Sequence, residues 1–382
     1  MLLQKSVFAT IIMIAFASSA QSQAPDVNTL IAESDQFFAK VGTGTVPSDK
    51  SWLAERMRLN SIASAIEKSP PSLTQIKVYT RLGTANFFLS EGKGSEPADG
   101  WFKRAEDALN SLKDSSGVAE YDERLATIWK ERADNFVLLG KENDARSFLE
   151  KALKAARASS YKDKLPEATI RERLAGSFFR KEQWKETLEI IGPAIEILTR
   201  AKDKPGFNKE MLRVPLWYEA VSLARLKQNA LGLFNNFLKE FPDISPHDRA
   251  NVFREAAVNI QEALPPDPTD PDYWSSQTLA LLLKAKNILD QSKDDQDAKL
   301  RVTVYVDLAM FYEREGKNDQ AEASFKVALE MARKSPTLGK DWPGLIPVLE
   351  RYATVLKGLN KNAEAEEQLK EASRIKKLSI SK

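Results

Sequence analysis

The chain of 382 residues contains no cysteine, which removes disulfides, thiol nucleophiles and cysteine-ligated metals. It has a single histidine, His247, so a histidine-rich metal site cannot form and any catalytic triad would have to use that residue. No glycine-rich phosphate loop is present. The 56 basic and 54 acidic residues leave a net charge of +2, which gives no electrostatic footprint for nucleic acid or an anionic membrane surface. Long apolar runs are also missing: residues 7–17 form an apolar stretch of eleven residues, short of the roughly 20 that a spanning helix needs. No cofactor, no metal, no nucleic acid and no stable membrane insertion are therefore expected.

That short apolar run has Lys5 before it and Ser18, Ser19 and Ala20 after it. A basic start, a brief apolar centre and small residues describe a secretory signal peptide. Residues 1–20 are expected to be removed near Ala20, leaving a mature chain that begins near Gln21. A cysteine-free exported protein of this size suits a bacterial periplasm, with release from the cell as the alternative.

What the chain does have is helix-forming composition, 42% hydrophobic and 29% charged with few glycines. The most informative stretch is residues 302–331, where Tyr305, Leu308, Ala309, Tyr312 and Gly316 lead into Ala321, Phe325 and Ala328. Tyr305, Leu308 and Tyr312 fall on one helical face, and Ala309 on that face admits a second helix closely. Gly316 suits the left-handed end of the first helix. Ala321, Phe325 and Ala328 then alternate small and bulky groups on the inward face of the next, so the two faces interdigitate.

The same spacing recurs along the chain. Trp129, Ala133, Phe136 and Gly140 precede Ala145, Leu149 and Ala152; Tyr79, Leu82 and Gly83 precede Ala98, Phe102 and Ala105. Leu174, Ala175 and Phe178 precede Thr187, Ile191 and Ala194, and Leu349, Tyr352 and Ala353 precede Ala365, Leu369 and Ala372. Ala230, Phe234 and Phe237, and Thr278, Leu282 and Ala285, keep the second-helix half of the pattern. The residues that open each second helix, Ala98, Ala145, Thr187, Ala230, Thr278, Ala321 and Ala365, stand 42 to 48 positions apart. A fixed period of this kind marks a repeat architecture.

This order of large and small residues resembles the tetratricopeptide repeat (TPR), in the long-repeat variety of kinesin light chains, since the common unit has about 34 residues. The resemblance covers roughly residues 70–380. It implies an all-α, right-handed superhelical solenoid of about seven antiparallel helix pairs over residues 21–382, preceded by an N-terminal helical cap that includes two amphipathic segments within residues 27–68. It also implies a scaffold that binds a protein or peptide and has no intrinsic catalysis. Two local breaks are expected: the segment 265–271, with four prolines, cannot be helical and is a hinge or long loop, and Gly192-Pro193 should bend or interrupt its helix.

If the family's geometry holds, the first helix of each pair lines the binding surface. Its outward flank carries Lys77, Thr80 and Thr84, then Thr127, Lys130 and Asp134, then Glu172 and Arg180, with Phe87, Phe88 and Phe179 as apolar anchors. Relatives that bind chaperone tails use a basic, asparagine-rich clamp, whereas Asp134 and Glu172 stand among the basic residues here. A chaperone-tail receptor is not expected.

Candidates for chemistry have simpler readings. His247 lies in Ser245-Pro246-His247-Asp248, where Ser245 suits a helix N-cap and Pro246 the first helical position. Asp267, Asp270 and Asp272 share a loop but lack the spacing and glycine of an EF-hand. Of seven tryptophans, Trp101 and Trp129 belong to inward faces, while Trp184, Trp217, Trp274 and Trp342 fall near helix starts or turns. Exposed tryptophans could stack on sugars, which motivates one enzyme alternative, an α/α toroid acting on polysaccharide with two carboxylates.

Overall fold

The computed structural model describes residues 26–42, 46–116, 120–159, 164–204, 207–263, 272–292 and 295–380. The expected signal peptide, the proline-rich segment 265–271 and the pair Asp267 and Asp270 lie outside them. The described residues form sixteen α-helices, two short 3-10 turns and no strand. They divide into two compact units, residues 1–170 and 171–382. None of the described helices is long and apolar enough to cross a membrane.

The first unit holds α1 (Val27–Gly42), α2 (Asp49–Ile66), α3 (Leu73–Phe88), α4 (Glu96–Ser116), α5 (Tyr121–Leu138), α6 (Glu142–Ala158) and the start of α7 (Leu165–Phe179). The second holds the rest of α7 with α8 (Trp184–Ala201), α9 (Arg213–Arg225), α10 (Leu231–Glu240), α11 (Pro246–Ala263), α12 (Tyr273–Gln291), α13 (Ala298–Arg314), α14 (Asn318–Lys334), α15 (Leu345–Gly358) and α16 (Asn362–Ile380). Within each unit consecutive helices pack as hairpins.

Helix-to-helix packing follows the repeating code. The seven residues that open the second helices are all buried to 1% exposure or less, although two of them are threonines. Four positions further, Phe102, Leu149, Ile191, Phe234, Leu282 and Phe325 fill the space between partners and are at most 2% exposed. Gly83 shows how tight this packing is, because a Cβ built on it would collide with the ring of the buried Phe102.

The period also extends one unit towards the N-terminus. Glu55, Leu59 and Ile62 of α2 are buried with the spacing of Ala98, Phe102 and Ala105. The segment expected to be a helical cap without the motif is therefore a helix pair, α1 with α2, in register with the pairs that follow. A glutamate in a place where the other units have Ala or Thr hid it: Glu55 is tolerated because Arg58 pairs with one of its oxygens.

Turn chemistry repeats as well. At Gly140, Glu182, Lys227, Gly316 and Asn360 the chain adopts positive φ, between 57° and 72°. Each of these residues donates its N–H to the carbonyl three positions back, and the next residue donates to the carbonyl five back, as in Gly316 to Glu313 (3.0 Å) and Lys317 to Tyr312 (2.8 Å). This is the Schellman ending. Only two of the five positions carry the glycine that would announce it.

Pro193 does not interrupt its helix. α8 runs from Trp184 through Ala201 with the proline inside it. Removing one amide donor costs helix stability, on the order of 3 kcal/mol, but Thr187, Ile191, Ala194 and Leu198 are all buried along the same helix and hold it by packing. The Ser245-Pro246 start behaves as read from sequence: α11 begins at Pro246, and the Asp248 N–H donates to the Ser245 hydroxyl at 3.0 Å.

Candidate functional site

The outward flank of the first helices can be followed by itself in the first unit. On α5, residues 125, 126, 128, 132, 133, 135 and 136 are buried, so the opposite side of that helix presents Thr127, Lys130, Glu131, Asp134 and Leu138. Thr127 is exposed and its hydroxyl donates back to the Glu123 carbonyl at 3.0 Å. Lys130 Nζ lies 2.9 Å from Glu131 and 3.0 Å from Asp134. Burial works against its charged form, but the two carboxylates outweigh that effect and raise its pKa. Lys130 is thus a fixed cation at neutral pH.

On α3 the flank carries Lys77, Thr80, Arg81 and Thr84. Thr80 and Thr84 are half-buried, and their hydroxyls donate to the carbonyls of Ile76 and Thr80 one turn back. Lys77 and Arg81 converge on Asp35 of α1 at 2.5 and 2.6 Å. The Lys77 hydrogen bond is the largest influence on Asp35 and holds its carboxyl below the usual range. Sequence reasoning missed Asp35 and Arg81 because α1 was not recognised as the first helix of a pair. It missed Glu131 as the neighbour that helps hold Lys130.

The two phenylalanines of α3 serve differently from what their spacing suggested. Phe87 is half-buried and packs against the core of the first unit. Phe88 is 47% exposed, but one of its faces stacks on Trp52 with ring centroids 4.5 Å apart. Only the other face of Phe88 is available as an apolar contact.

Glu172 and Phe179 of α7, and Arg180 in the turn directly after it, lie in the second unit. Phe179 stacks on Tyr218 of α9 at 4.5 Å and meets Trp184 edge-on at 5.2 Å. Burial raises the Tyr218 phenol pKa, with Glu172 adding to the effect and Arg180 opposing it. Further along this unit, Arg225, Glu255, Arg254 and Asp307 form a charge ladder over α9, α11 and α13, with contacts of 2.6 to 2.8 Å. Glu313 of α13 meets Arg351 of α15 at 2.7 Å.

The candidates for chemistry are placed as helix-end and core residues. His247 Nδ1 meets Asp297 Oδ1 at 2.7 Å, which ties the start of α11 to the turn before α13. No cluster of three or more metal-binding side chains occurs among the described residues. Trp52 is buried and the other six tryptophans are half-buried, so the exposed indoles that motivated a sugar-binding toroid are not there.

Comparison with known proteins agrees with this geometry. Residues 300–377 match the tetratricopeptide repeat family model. No curated protein sequence matches the chain. Among solved structures, the quorum sensor NprR from B. thuringiensis, in its apo form, is 13% identical and aligns over 98% of this chain and 94% of its own, with a TM-score of 0.54. Aspartyl phosphate phosphatase F from Bacillus subtilis is 11% identical over 94% of this chain and 96% of its own, with a TM-score of 0.49. BtubC from P. vanneervenii is 15% identical over 62% of this chain and 91% of its own, with a TM-score of 0.48. The NprR likeness, over nearly the full length of both chains, speaks for the fold alone. Residues 300–377 thus match the tetratricopeptide repeat family, and the buried code and the helix endings repeat the same helix-pair architecture, at a long period, in both units of the chain.

Proposed function

We propose that the chain is an exported scaffold, without chemistry of its own, that holds an extended segment of a partner protein or peptide along the outward flank of the first helices of its first unit, α3 and α5. The residues concerned are Lys77, Thr80, Thr84 and the free face of Phe88 on α3 and Thr127, Lys130 and Asp134 on α5, all within the first unit. The observation that carries this reading is the state of the flank in the first unit. Asp35, Lys77, Arg81, Lys130, Glu131 and Asp134 are linked in ion pairs of 2.5 to 3.0 Å, three acids against three bases. A surface whose side chains are already ordered loses less entropy when a segment docks on it. Its balanced charge suits a segment of mixed sign rather than an acidic tail.

Capture of partners from the native compartment, followed by affinity measurement on variants, tests the proposal. Reversing Lys130 would crowd three carboxylates together, so steric blocking is the cleaner perturbation. Thr127→Trp on α5 is expected to weaken binding at unchanged thermal stability, while Lys103→Trp on the exposed side of α4 leaves it intact. Unchanged affinity with Thr127→Trp, together with loss from Lys103→Trp, moves the site off this flank. Export is tested by sequencing the N-terminus of the protein recovered outside the cytoplasm: a start near Gln21 supports it, and a membrane-associated form that begins at Met1 contradicts it.

A further inference from the structure

In α2, α4, α6, α8, α12, α14 and α16 the second-helix position is filled by 17 to 21 residues, but α10 has only 10. Its end is dictated by Pro242, which forces Phe241 out of helical conformation, to φ −119° and ψ 70°. The turns that a full-length helix would add are missing at this point. Between the first halves of α9 and α11, where those turns would pack, a cavity of about 180 Å³ remains.

The cavity is chemically graded. At its inner end Phe237 and Val252 are buried, at 5% and 1% exposure. Trp217 joins them, its ring tilted 56° to that of Phe237 at a centroid distance of 5.9 Å. At the mouth stand the exposed Arg213 and Asp248 and the half-buried Asn251. Arg213 is held only loosely, with its Nε 3.4 Å from Glu210, and Asp248 is oriented by the Ser245 hydroxyl at 2.9 Å.

Water fits the inner end poorly, because a stable buried water needs two to four polar partners and Trp217, Phe237 and Val252 line it with apolar surface. An apolar cavity of about 150 Å³ is large enough to take benzene. Tilted aromatic walls also favour a further ring, which can meet one of them face-on and the other by its edge. We propose that this cavity binds a single aromatic ring bearing a hydrogen-bonding group, with the ring against Trp217, Phe237 and Val252 and the polar group among Arg213, Asp248 and Asn251. That ring can belong to a small free aromatic molecule or to a Tyr-like side chain of a polypeptide. The site is separate from the flank proposed above, and its test does not depend on that reading.

The experiment uses the full chain labelled with fluorotryptophan, with the Trp217 signal assigned through Trp217→Phe. Phenol and N-acetyl-L-tyrosine amide are titrated to millimolar concentrations, with cyclohexanol as the non-aromatic control. Saturable movement of the Trp217 signal by an aromatic probe, weaker with cyclohexanol and lost in Val252→Phe, which fills the inner end, supports the site. Response to phenol alone identifies a small free molecule as the source, and response to both aromatic probes admits a side chain. If Val252→Phe does not fold, Asn251→Leu replaces it, and weaker phenol binding is expected there. No movement of the Trp217 signal with either aromatic probe overturns the proposal, as does a folded Val252→Phe that binds phenol with unaltered affinity.

Discussion

Gly83→Ala gives a sharp test of the helix-to-helix packing, because two effects of opposite sign meet in one methyl group. In the interior of a helix alanine is favoured over glycine by about 1 kcal/mol, so the substitution taken alone should stabilise α3. The added Cβ, however, would lie 2.5 and 2.7 Å from two ring carbons of Phe102 and closer still to a third, where carbon atoms prefer about 3.5 to 4.0 Å. Phe102 is fully buried and its ring is enclosed by its neighbours. Relief requires moving α3 away from α4, and overpacking of this kind costs about 1 to 3 kcal/mol. The expected result is a net loss of about 1 kcal/mol, read as a lower denaturant midpoint from Trp52, Trp101 and Trp129 in the first unit. Phe102→Leu should cost stability in the native background and much less when combined with Gly83→Ala, a coupling of about 1 kcal/mol in the double-mutant cycle. Gly100→Ala in α4 is the internal control, since nothing lies within 4 Å of the position its Cβ would take, and it should stabilise that helix. A midpoint for Gly83→Ala at or above that of the native chain would refute the packing described here.

Three further outcomes are expected. Ala328→Leu and Ala152→Leu, both fully buried, should each lower the unfolding midpoint by the equivalent of about 1 to 3 kcal/mol, whereas Lys326→Leu, at a half-exposed ion pair that leaves Glu322 its second partner Lys361, should cost less; equal small shifts for all three would contradict the helix register. Glu182→Gly and Lys227→Gly should each raise stability by about 1 kcal/mol, because an L-residue is strained in the left-handed region and glycine is not, and a loss in either would contradict the turn geometry. Glu322 accepts from Lys326 and Lys361 at 2.7 Å, and these hydrogen bonds hold its carboxyl below the ordinary 4.5. Its folded pKa lies below its unfolded one, so its contribution is complete above that unfolded value and is lost as pH falls through the lowered one. The stability gap between the native chain and Glu322→Gln should therefore be largest near neutrality and close in acid, and a gap that widens with acid would be the wrong sign.

By itself the sequence determined whatever is periodic or local. Alternation of small and bulky residues at one spacing set the helix faces, which is why Ala98, Ala145, Ala321 and Ala365 were legible as contact positions, and all four are buried. Gly140, Gly316 and Ser245-Pro246 announced helix ends through chemistry confined to a few residues. What needed tertiary structure depends on how whole helices pack. Glu55 fills a small-residue position because Arg58 neutralises it, and without that pairing α1 and α2 could not be read as a repeat. Glu182, Lys227 and Asn360 take the left-handed turn without glycine, because packing of the helices on either side outweighs a local strain of about 1 kcal/mol. Pro193 stays inside α8 for the same reason. On the candidate flank, residue types gave the positions of Lys77 and Lys130, whereas the fold decided that Asp35 holds one and that Phe88 spends a face on Trp52. The cavity beside Trp217 depends on a comparison of helix lengths that becomes meaningful only when the neighbouring helices are in place. Propensity and period act through the nearest turns of the chain, while charge pairing and ring stacking depend on which helices become neighbours.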